Sequence, residues 1–181
     1  ETTITKETLG SIRAMRIIQE NNGERGCNRY IISNCQTIDD ILELFALHKI
    51  SNWDQPSVDI IPLFETIPDL KVCEKIMKNL YENKQYRKHL DYRGNKQTVM
   101  LGFSDGTKDG GYLMANWSIY KAKEDLTALS KRYGINIAFF DGRGGPPARG
   151  GGNTHEFYAS MEKKIQADDI QLTIQGQTIS S

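Results

Sequence analysis

Short apolar runs alternate with longer stretches of helical periodicity along nearly the whole chain. Each run has the length and the β-branched or aromatic content of a buried strand. The runs lie at 30–33, 58–65, 98–103 and 135–140, and a fifth, "IQLTIQ", lies at 170–175. Because successive parallel strands need helical crossovers, this alternation predicts an α/β fold with a mainly parallel sheet, as in a barrel or a doubly wound fold.

The stretches between the runs carry the start and stop signals of helices. Apolar side chains recur every three to five positions through residues 4–22, and Gly23 follows where a C-terminal cap would lie. Thr37 and Asp40 have the spacing of a capping box, and Pro68 suits a first helical turn. We therefore expect one helix before the first strand and one after each of the first two strands.

Two further helices are expected in the second half of the chain. A long one from Tyr112 to Tyr133 makes Trp117 and Tyr120 available to the core, and a shorter one lies near residues 155–165. A chain of 181 residues has room for one sizeable core. The sequence therefore predicts a single domain over its whole length.

The charge balance and the cysteines limit the possible function classes. Lysine and arginine together number 23, as do aspartate and glutamate, so no overall basic field attracts nucleic acid or an anionic membrane. The three cysteines have no CxxC spacing, which favours reduced thiols inside a cell. Since no apolar run approaches the ~20 residues of a membrane span, we expect a soluble cytoplasmic protein.

Polar side chains follow three of the predicted strands. Glu65 ends the second strand, Asp105 and Lys108 follow the third, and Asp141 and Arg143 follow the fourth. Because the carboxyl ends of parallel strands meet at one edge of a sheet, these groups are expected to converge. A pair of carboxylates leaves much of an octahedral shell open to water and substrate oxygens, which suits Mg²⁺ or Mn²⁺.

Residues 142–152 read "GRGGPPARGGG", a segment that cannot pack a core. Three interpretations fit its composition: a slack linker, an RGG-type tail that binds RNA, or a shaped cradle for an anion. Backbone N–H groups exposed by glycine and the planar forks of Arg143 and Arg149 suit phosphate or carboxylate. Together with the strand ends, they indicate a site for a metal and an anion.

Three segments carry a resemblance to a known family. "LFETIPDL", "GFSDGTKDGGYLMANWSIYKAKEDL" and "FFDGRGGPPARGGGNTH", in this order, resemble the central catalytic segments of phosphoenolpyruvate carboxylase. The similarity runs from about residue 8 to the end of the chain. It implies a piece of a (β/α) barrel in a larger, helix-rich enzyme, a lyase of the cytoplasm that joins bicarbonate to phosphoenolpyruvate. The products would be oxaloacetate, which feeds the tricarboxylic acid cycle, and phosphate.

The resemblance also implies a role for each candidate residue. Glu65 and Asp105 would bind Mg²⁺ or Mn²⁺, and Arg143 would grip phosphoenolpyruvate beside Gly144 and Gly145. Lys108 and Arg149, the latter beside Gly150, would handle bicarbonate and carboxyphosphate. The glycine loop is then an anion cradle, since a plain linker needs neither arginine and an RNA-binding tail needs more repeats and net positive charge.

The chain is several times shorter than members of this family. The resemblance therefore implies an internal piece that lacks the catalytic histidine, because neither His48, His89 nor His155 matches it. We expect no activity from the isolated chain, a partner in the rest of the parent polypeptide, and a homo-oligomeric parent that binds neither nucleic acid nor a membrane. A stand-alone anion-binding module and a nucleic-acid binder that uses the glycine loop are the alternatives.

Overall fold

The computed structural model describes residues 3–102, 104–142 and 170–172. Within them five strands form one sheet: β1 (Arg29–Ile32), β2 (Asp59–Phe64), β3 (Lys96–Gly102), β4 (Asn136–Gly142) and β5 (Ile170–Leu172). Neighbouring strands are parallel and follow one another in chain order. This confirms the predicted α/β fold, and the described strands lack the reversal of order found in a doubly wound sheet. Closure into a barrel stays a prediction.

The helices follow the predicted caps. They are α1 (Thr3–Asn22), α2 (Ile38–Ile50), α3 (Ile67–Glu82), α4 (Lys84–Tyr92) and α5 (Ser104–Tyr133). Gly23 follows α1 with a φ of 82°, and the capping box of Thr37 and Asp40 opens α2. The sequence patterns had missed α4, which starts because the side chain of Asn83 accepts two backbone N–H bonds directly after α3.

Helix α5 begins earlier than the predicted start at Tyr112. Its first turns run from Ser104 to the non-helical Gly111, which has φ 77° and ψ 169° and separates them from the rest. The expectation that Trp117 enters the core is wrong, since its side chain is 59% exposed. The buried stripe of α5 contains Ala115 and Ile119, and Trp117 lies two positions, about 200°, from either of them.

The core fills the space between one face of the sheet and the helices. Its strand residues include Ile60, Phe64, Val99, Leu101, Ile137 and Phe139, and its helix residues include Leu70, Met77, Leu80, Leu126 and Leu129. These side chains alternate along each strand, so residues between them point to the opposite face. The core therefore fixes which strand residues face the helices.

The amino edge, which we define as the starts of β1 to β4, carries a charged network. The guanidinium of Arg93 lies 2.7 Å from a carboxylate oxygen of Glu24 and 2.7 Å from one of Asp59. Arg29 and Lys96 line the same polar cleft of about 490 Å³. One cation thereby joins the turn after α1 to the start of β2.

The cysteines are free thiols, as predicted. Cys35 and Cys73 are buried and Cys27 is half-buried. Burial raises the pKa of Cys35 to about 11 and that of Cys73 to about 12, so both stay protonated near neutral pH. In the part of the chain that the structure describes, no helix combines the length and the apolar character needed to cross a membrane.

Candidate active site at the carboxyl edge

The carboxyl edge is formed by the ends of β2, β3 and β4. Leu101 pairs with Phe64 on one side and with Asp141 on the other. The next residue along each strand direction is Glu65, Gly102 and Gly142, and the last two are paired with each other. The structure thus places Glu65 beside two glycines on neighbouring strand ends.

Glycine at 102 is required by the close approach of Glu65. A Cβ atom at Gly102 would lie 2.9 Å from the Cα atom of Glu65 and 3.3 Å from its Cβ and Cγ atoms. Real Cβ contacts are longer, so any side chain at 102 would displace Glu65. The half-buried Glu65 side chain therefore rests directly against the backbone of β3.

A second glycine lets β3 and β4 pack closely at their ends. A Cβ atom at Gly142 would lie 2.9 Å from the Cε atom of Met100 and 3.2 Å from the carbonyl oxygen of Leu101. Gly102 and Gly142 together give the edge a stretch of backbone without side chains. Both positions therefore require glycine because the ends of β2, β3 and β4 pack closely together.

The start of α3 holds Glu65 from the other side. Thr66 caps the helix: its N–H donates to Asp69 Oδ2 at 3.0 Å, and its hydroxyl accepts from the N–H of Asp69 at 3.3 Å. Pro68 lies in the first turn, as predicted. Glu65 therefore connects a buried strand to a capped helix, which limits the motion of its backbone.

The first turns of α5 pack onto this start of α3. Gly110 lies so close to Ile67 that a Cβ atom at 110 would collide with the Ile67 Cδ1 atom. Lys108, two residues earlier, has an exposed side chain. The turn that carries Lys108 therefore packs beside Ile67, which follows Glu65 by two residues in the chain.

The other predicted site residues lie in α5 or outside the described residues. The backbone of Asp105 is helical within α5, and its side chain is not described. Arg143, Gly144, Gly145, Arg149 and Gly150 lie outside the described residues. The structure thus brings together Glu65 and the Lys108 turn, while the other assignments stay predictions.

Asp141 does not extend into the edge, although it follows the same pattern in the sequence. Its carboxylate is buried against Lys123 of α5, with Nζ 2.8 Å from Oδ1 and 2.9 Å from Oδ2. Only 4% of Asp141 and 3% of Lys123 is exposed. The sequence analysis missed Lys123, but a lysine between Ile119 and Leu126 on the buried stripe was a signal, because a buried charge needs a partner.

The two described histidines lie away from this edge. His48 packs its ring against Tyr30 and Trp53, and His89 packs against Phe45. Burial lowers the pKa of both, that of His89 to about 4. Each is therefore a neutral core residue near pH 7, and His155 lies outside the described residues.

Comparison with known proteins identifies related sequences. The family model described as phosphoenolpyruvate carboxylase matches residues 2–181. The phosphoenolpyruvate carboxylase of Nitrosomonas europaea is 40% identical over 183 residues, covering 96% of this chain and 20% of the relative. Those of Corynebacterium diphtheriae and Paraburkholderia xenovorans are 40% and 37% identical, with 98% of this chain and 19% of each relative covered. The chain thus spans about a fifth of the length of these relatives.

Proposed function

The chain belongs to the phosphoenolpyruvate carboxylase family, and on that basis we propose that its carboxyl edge is part of a centre that carboxylates phosphoenolpyruvate. Bicarbonate and phosphoenolpyruvate would be the substrates, and oxaloacetate and phosphate the products. The observation that carries the proposal is the packing of Glu65 onto Gly102, level with Gly142, where three parallel strands end. Ligand sites of parallel α/β folds lie at this edge.

A divalent metal fits the residues at this edge. Glu65 presents a carboxylate beside backbone without side chains, and the turn that contains Asp105 follows the adjacent strand. Carboxylate oxygens are the ligands preferred by Mg²⁺ and Mn²⁺. Glu65 and Asp105 would hold the ion, which supplies Lewis-acid stabilisation of negative charge on a substrate oxygen when bound. A pair of carboxylates is compatible with the finding that the described residues contain no cluster of three or more His, Cys, Asp or Glu.

The cationic residues divide between the two substrates in this proposal. Arg143, with the N–H groups of Gly144 and Gly145, binds the phosphate and carboxylate of phosphoenolpyruvate. Lys108 and Arg149, the latter beside Gly150, hold bicarbonate and then carboxyphosphate. The exposed Lys108 on a turn packed near Glu65 supports its place in the site.

The reaction proceeds in two steps. A bicarbonate oxygen attacks phosphorus, and the bond from phosphorus to the enol oxygen breaks, which yields carboxyphosphate and the enolate of pyruvate. Carboxyphosphate then releases carbon dioxide and phosphate, and the enolate carbon forms a bond to carbon dioxide. Fixed cations at the edge stabilise the negative charge that develops in both steps, and their pre-set positions avoid reorganisation during the reaction.

The cellular setting belongs to the same proposal. The protein acts in the cytoplasm, supplies oxaloacetate to the tricarboxylic acid cycle by carbon dioxide fixation, and works as a homo-oligomer with the remaining parts of the catalytic barrel. The 181-residue chain on its own would form no oxaloacetate, because the family's catalytic histidine has no match in it. Nucleic acid and membrane have no part in this function.

The test uses the product of the complete open reading frame that contains this chain, called here the complete gene product. Oxaloacetate is measured through coupled NADH oxidation and phosphate in the same reaction. We expect the wild type to give equal yields of oxaloacetate and phosphate. Arg149→Ala should give phosphate in excess of oxaloacetate, because it would hold carboxyphosphate poorly. Absence of oxaloacetate from the wild type would refute the proposed function.

A separate titration distinguishes the two alternatives. The complete gene product is titrated with phosphoenolpyruvate plus Mn²⁺, and with RNA at two salt concentrations. A stand-alone anion-binding module would bind phosphoenolpyruvate without turnover. A nucleic-acid binder would bind RNA with an affinity that falls steeply with salt.

A further inference from the structure

On β2, β3 and β4, the last residues whose side chains face the core differ in chemistry. Phe64, Leu101 and Asp141 occupy equivalent positions on β2, β3 and β4 and are paired in register. Paired residues of a parallel sheet point to the same face, so all three side chains face the helices. Phenylalanine and leucine suit this place, and a carboxylate there must meet a cation.

That cation is Lys123, whose side chain reaches the edge from the middle of α5. Helical side chains point toward the helix N-terminus, and α5 starts directly after the carboxyl end of β3. The Lys123 ammonium therefore extends toward the carboxyl edge, where it lies 2.8 and 2.9 Å from the two oxygens of Asp141. It also lies 5.6 Å from the centre of the Phe139 ring.

Stability alone does not account for this pair. Replacing a buried ion pair by apolar side chains of similar volume is often neutral or stabilising, because two charges lose their hydration on burial. The neighbouring positions show that this fold accepts apolar residues in the same row. What an ion pair adds is a defined geometry, since two oxygens around one ammonium fix a single arrangement of strand and helix, whereas apolar contacts tolerate sliding.

The pair joins the two elements that flank the candidate site. Asp141 directly precedes Gly142, which rests against Met100 and the carbonyl of Leu101. Lys123 belongs to α5, whose first turns carry Lys108. We propose that Lys123 and Asp141 are positioning residues that hold the end of β4 against α5 in the arrangement needed for substrate binding, an inference that rests on the proposed function.

The experiment compares the pair with an apolar replacement in the complete gene product. The variants are Lys123→Met, Asp141→Leu and the double variant with both changes. Tyr81→Phe combined with Ser130→Ala is the matched control, because it removes a buried 3.2 Å hydrogen bond between α3 and the same helix α5. Lys123→Arg, which keeps the charge, tests rescue.

Three quantities are measured for each protein: thermal stability, kcat and KM for phosphoenolpyruvate, and hydrogen exchange of the backbone amides in β4. We expect each single variant to be destabilised and the double variant to recover the stability of the wild type. The double variant should still show KM raised at least tenfold with a smaller change in kcat, and amide exchange at 140–142 at least tenfold faster. Lys123→Arg should recover most of the affinity, and the control should keep wild-type KM and exchange.

A merely structural pair would give a different pattern. In that case the double variant would recover kcat, KM and slow exchange together with its stability, and the inference would be overturned. If the wild type forms no oxaloacetate, the proposed function fails, and the exchange measurement still decides whether the pair orders the strand end. Wild-type exchange rates at 140–142 in the double variant would then reject the positioning role.

Discussion

The two edges of the sheet both bring charges together, but they do so in opposite ways. At the amino edge, Arg93 is shared between Glu24 and Asp59, so its charge is matched within the protein. At the carboxyl edge, the buried Gly102 is paired with Gly142, and Glu65 packs against Gly102. The ion pair there, Lys123–Asp141, is turned away toward the helices.

Under the proposed function, this difference means that one sheet separates stability from ligand binding. At the amino edge, Arg93 pairs with Glu24 and Asp59 and thereby joins elements that are distant in the chain. At the carboxyl edge, the proposed function assigns the carboxylate of Glu65 to a metal ion. The same separation between a stability edge and a chemistry edge is general in parallel barrels.

The largest effect on activity is expected from removing the carboxylate of Glu65, which tests the difference between the two edges. In the complete gene product, Glu65→Gln should lower kcat/KM by roughly 10²–10³-fold, the usual loss when one electrostatic contact to developing charge is removed. Its stability should stay near that of the wild type, because the amide fits the same space. Glu24→Gln is the matched control at the amino edge and should leave kcat/KM unchanged; equal losses from both would contradict the assignment of the edges.

The role of Gly102 in placing Glu65 is tested by adding one methyl group. Gly102→Ala should lower kcat/KM by about 10²-fold, since a shift of roughly 1 Å in a catalytic group has that cost. It should also lower the free energy of unfolding by about 1–3 kcal/mol through overpacking. Steady-state kinetics and urea unfolding measure the two effects.

Gly10→Ala provides the control, because a Cβ atom at Gly10 meets nothing within 4 Å. Because Gly10 lies in helix α1, its replacement by alanine should raise the free energy of unfolding by up to about 1 kcal/mol. The values of kcat and KM should stay unaltered. A Gly102→Ala protein with wild-type kcat/KM would show that the close packing on Glu65 has no functional consequence.

A substitution at the amino edge should lower stability and leave kcat/KM nearly unchanged. Arg93→Met should lower the free energy of unfolding by about 2 kcal/mol, because two charged hydrogen-bonding partners lose their donor. The expected change in kcat/KM is less than twofold. Urea unfolding and steady-state kinetics on the same preparation check this, and a tenfold kinetic loss at preserved stability would mean that this edge takes part in the chemistry.

The smallest expected effect is a pH dependence of stability that also belongs to the amino edge. Burial, followed by the charge of Arg93, lowers the pKa of His89 to about 4, with Asp59 acting in the opposite direction. The unfolded state, with a pKa near 6.5, therefore binds more protons than the folded state as the pH falls below 6.5. Stability should drop by about 1 kcal/mol between pH 6.5 and pH 5.5 and continue to fall toward pH 4.

Urea unfolding at several pH values measures this slope. His89→Asn should reduce it, and the lowered pKa of the buried His48 accounts for part of what remains. An unchanged slope in His89→Asn would assign the acid sensitivity to other groups.

Much of the fold could be predicted because its signals are local. The capping box of Thr37 and Asp40 and the glycine after α1 lie within a few residues of the elements they delimit. Glu65 was identified as an edge residue because it directly follows a strand-like run. Helix α4 was missed although its buried residues Tyr86, His89 and Leu90 have helical spacing, because it is only nine residues long and mostly polar.

The candidate site was predictable only in part. Strand alternation indicated which residues would share an edge, but not how their side chains would be oriented. Asp141 and Glu65 follow the same sequence pattern, yet the pleat turns Asp141 toward the helices and Glu65 to the edge. Trp117 was expected to be available to the core from the predicted long helix, whereas the rotation of α5 exposes it.

Apart from α4 and its cap, the sequence by itself determined the order of strands and helices, the caps and the residues available at each strand end, because these depend on neighbours within one or two turns. The tertiary structure alone decided that Lys123 meets Asp141, 18 positions away, and that Arg93 meets Asp59, 34 positions away. It also decided that Gly102 must lack a side chain. These contacts depend on strand register and helix rotation, which are set by packing across the whole core rather than by any local segment.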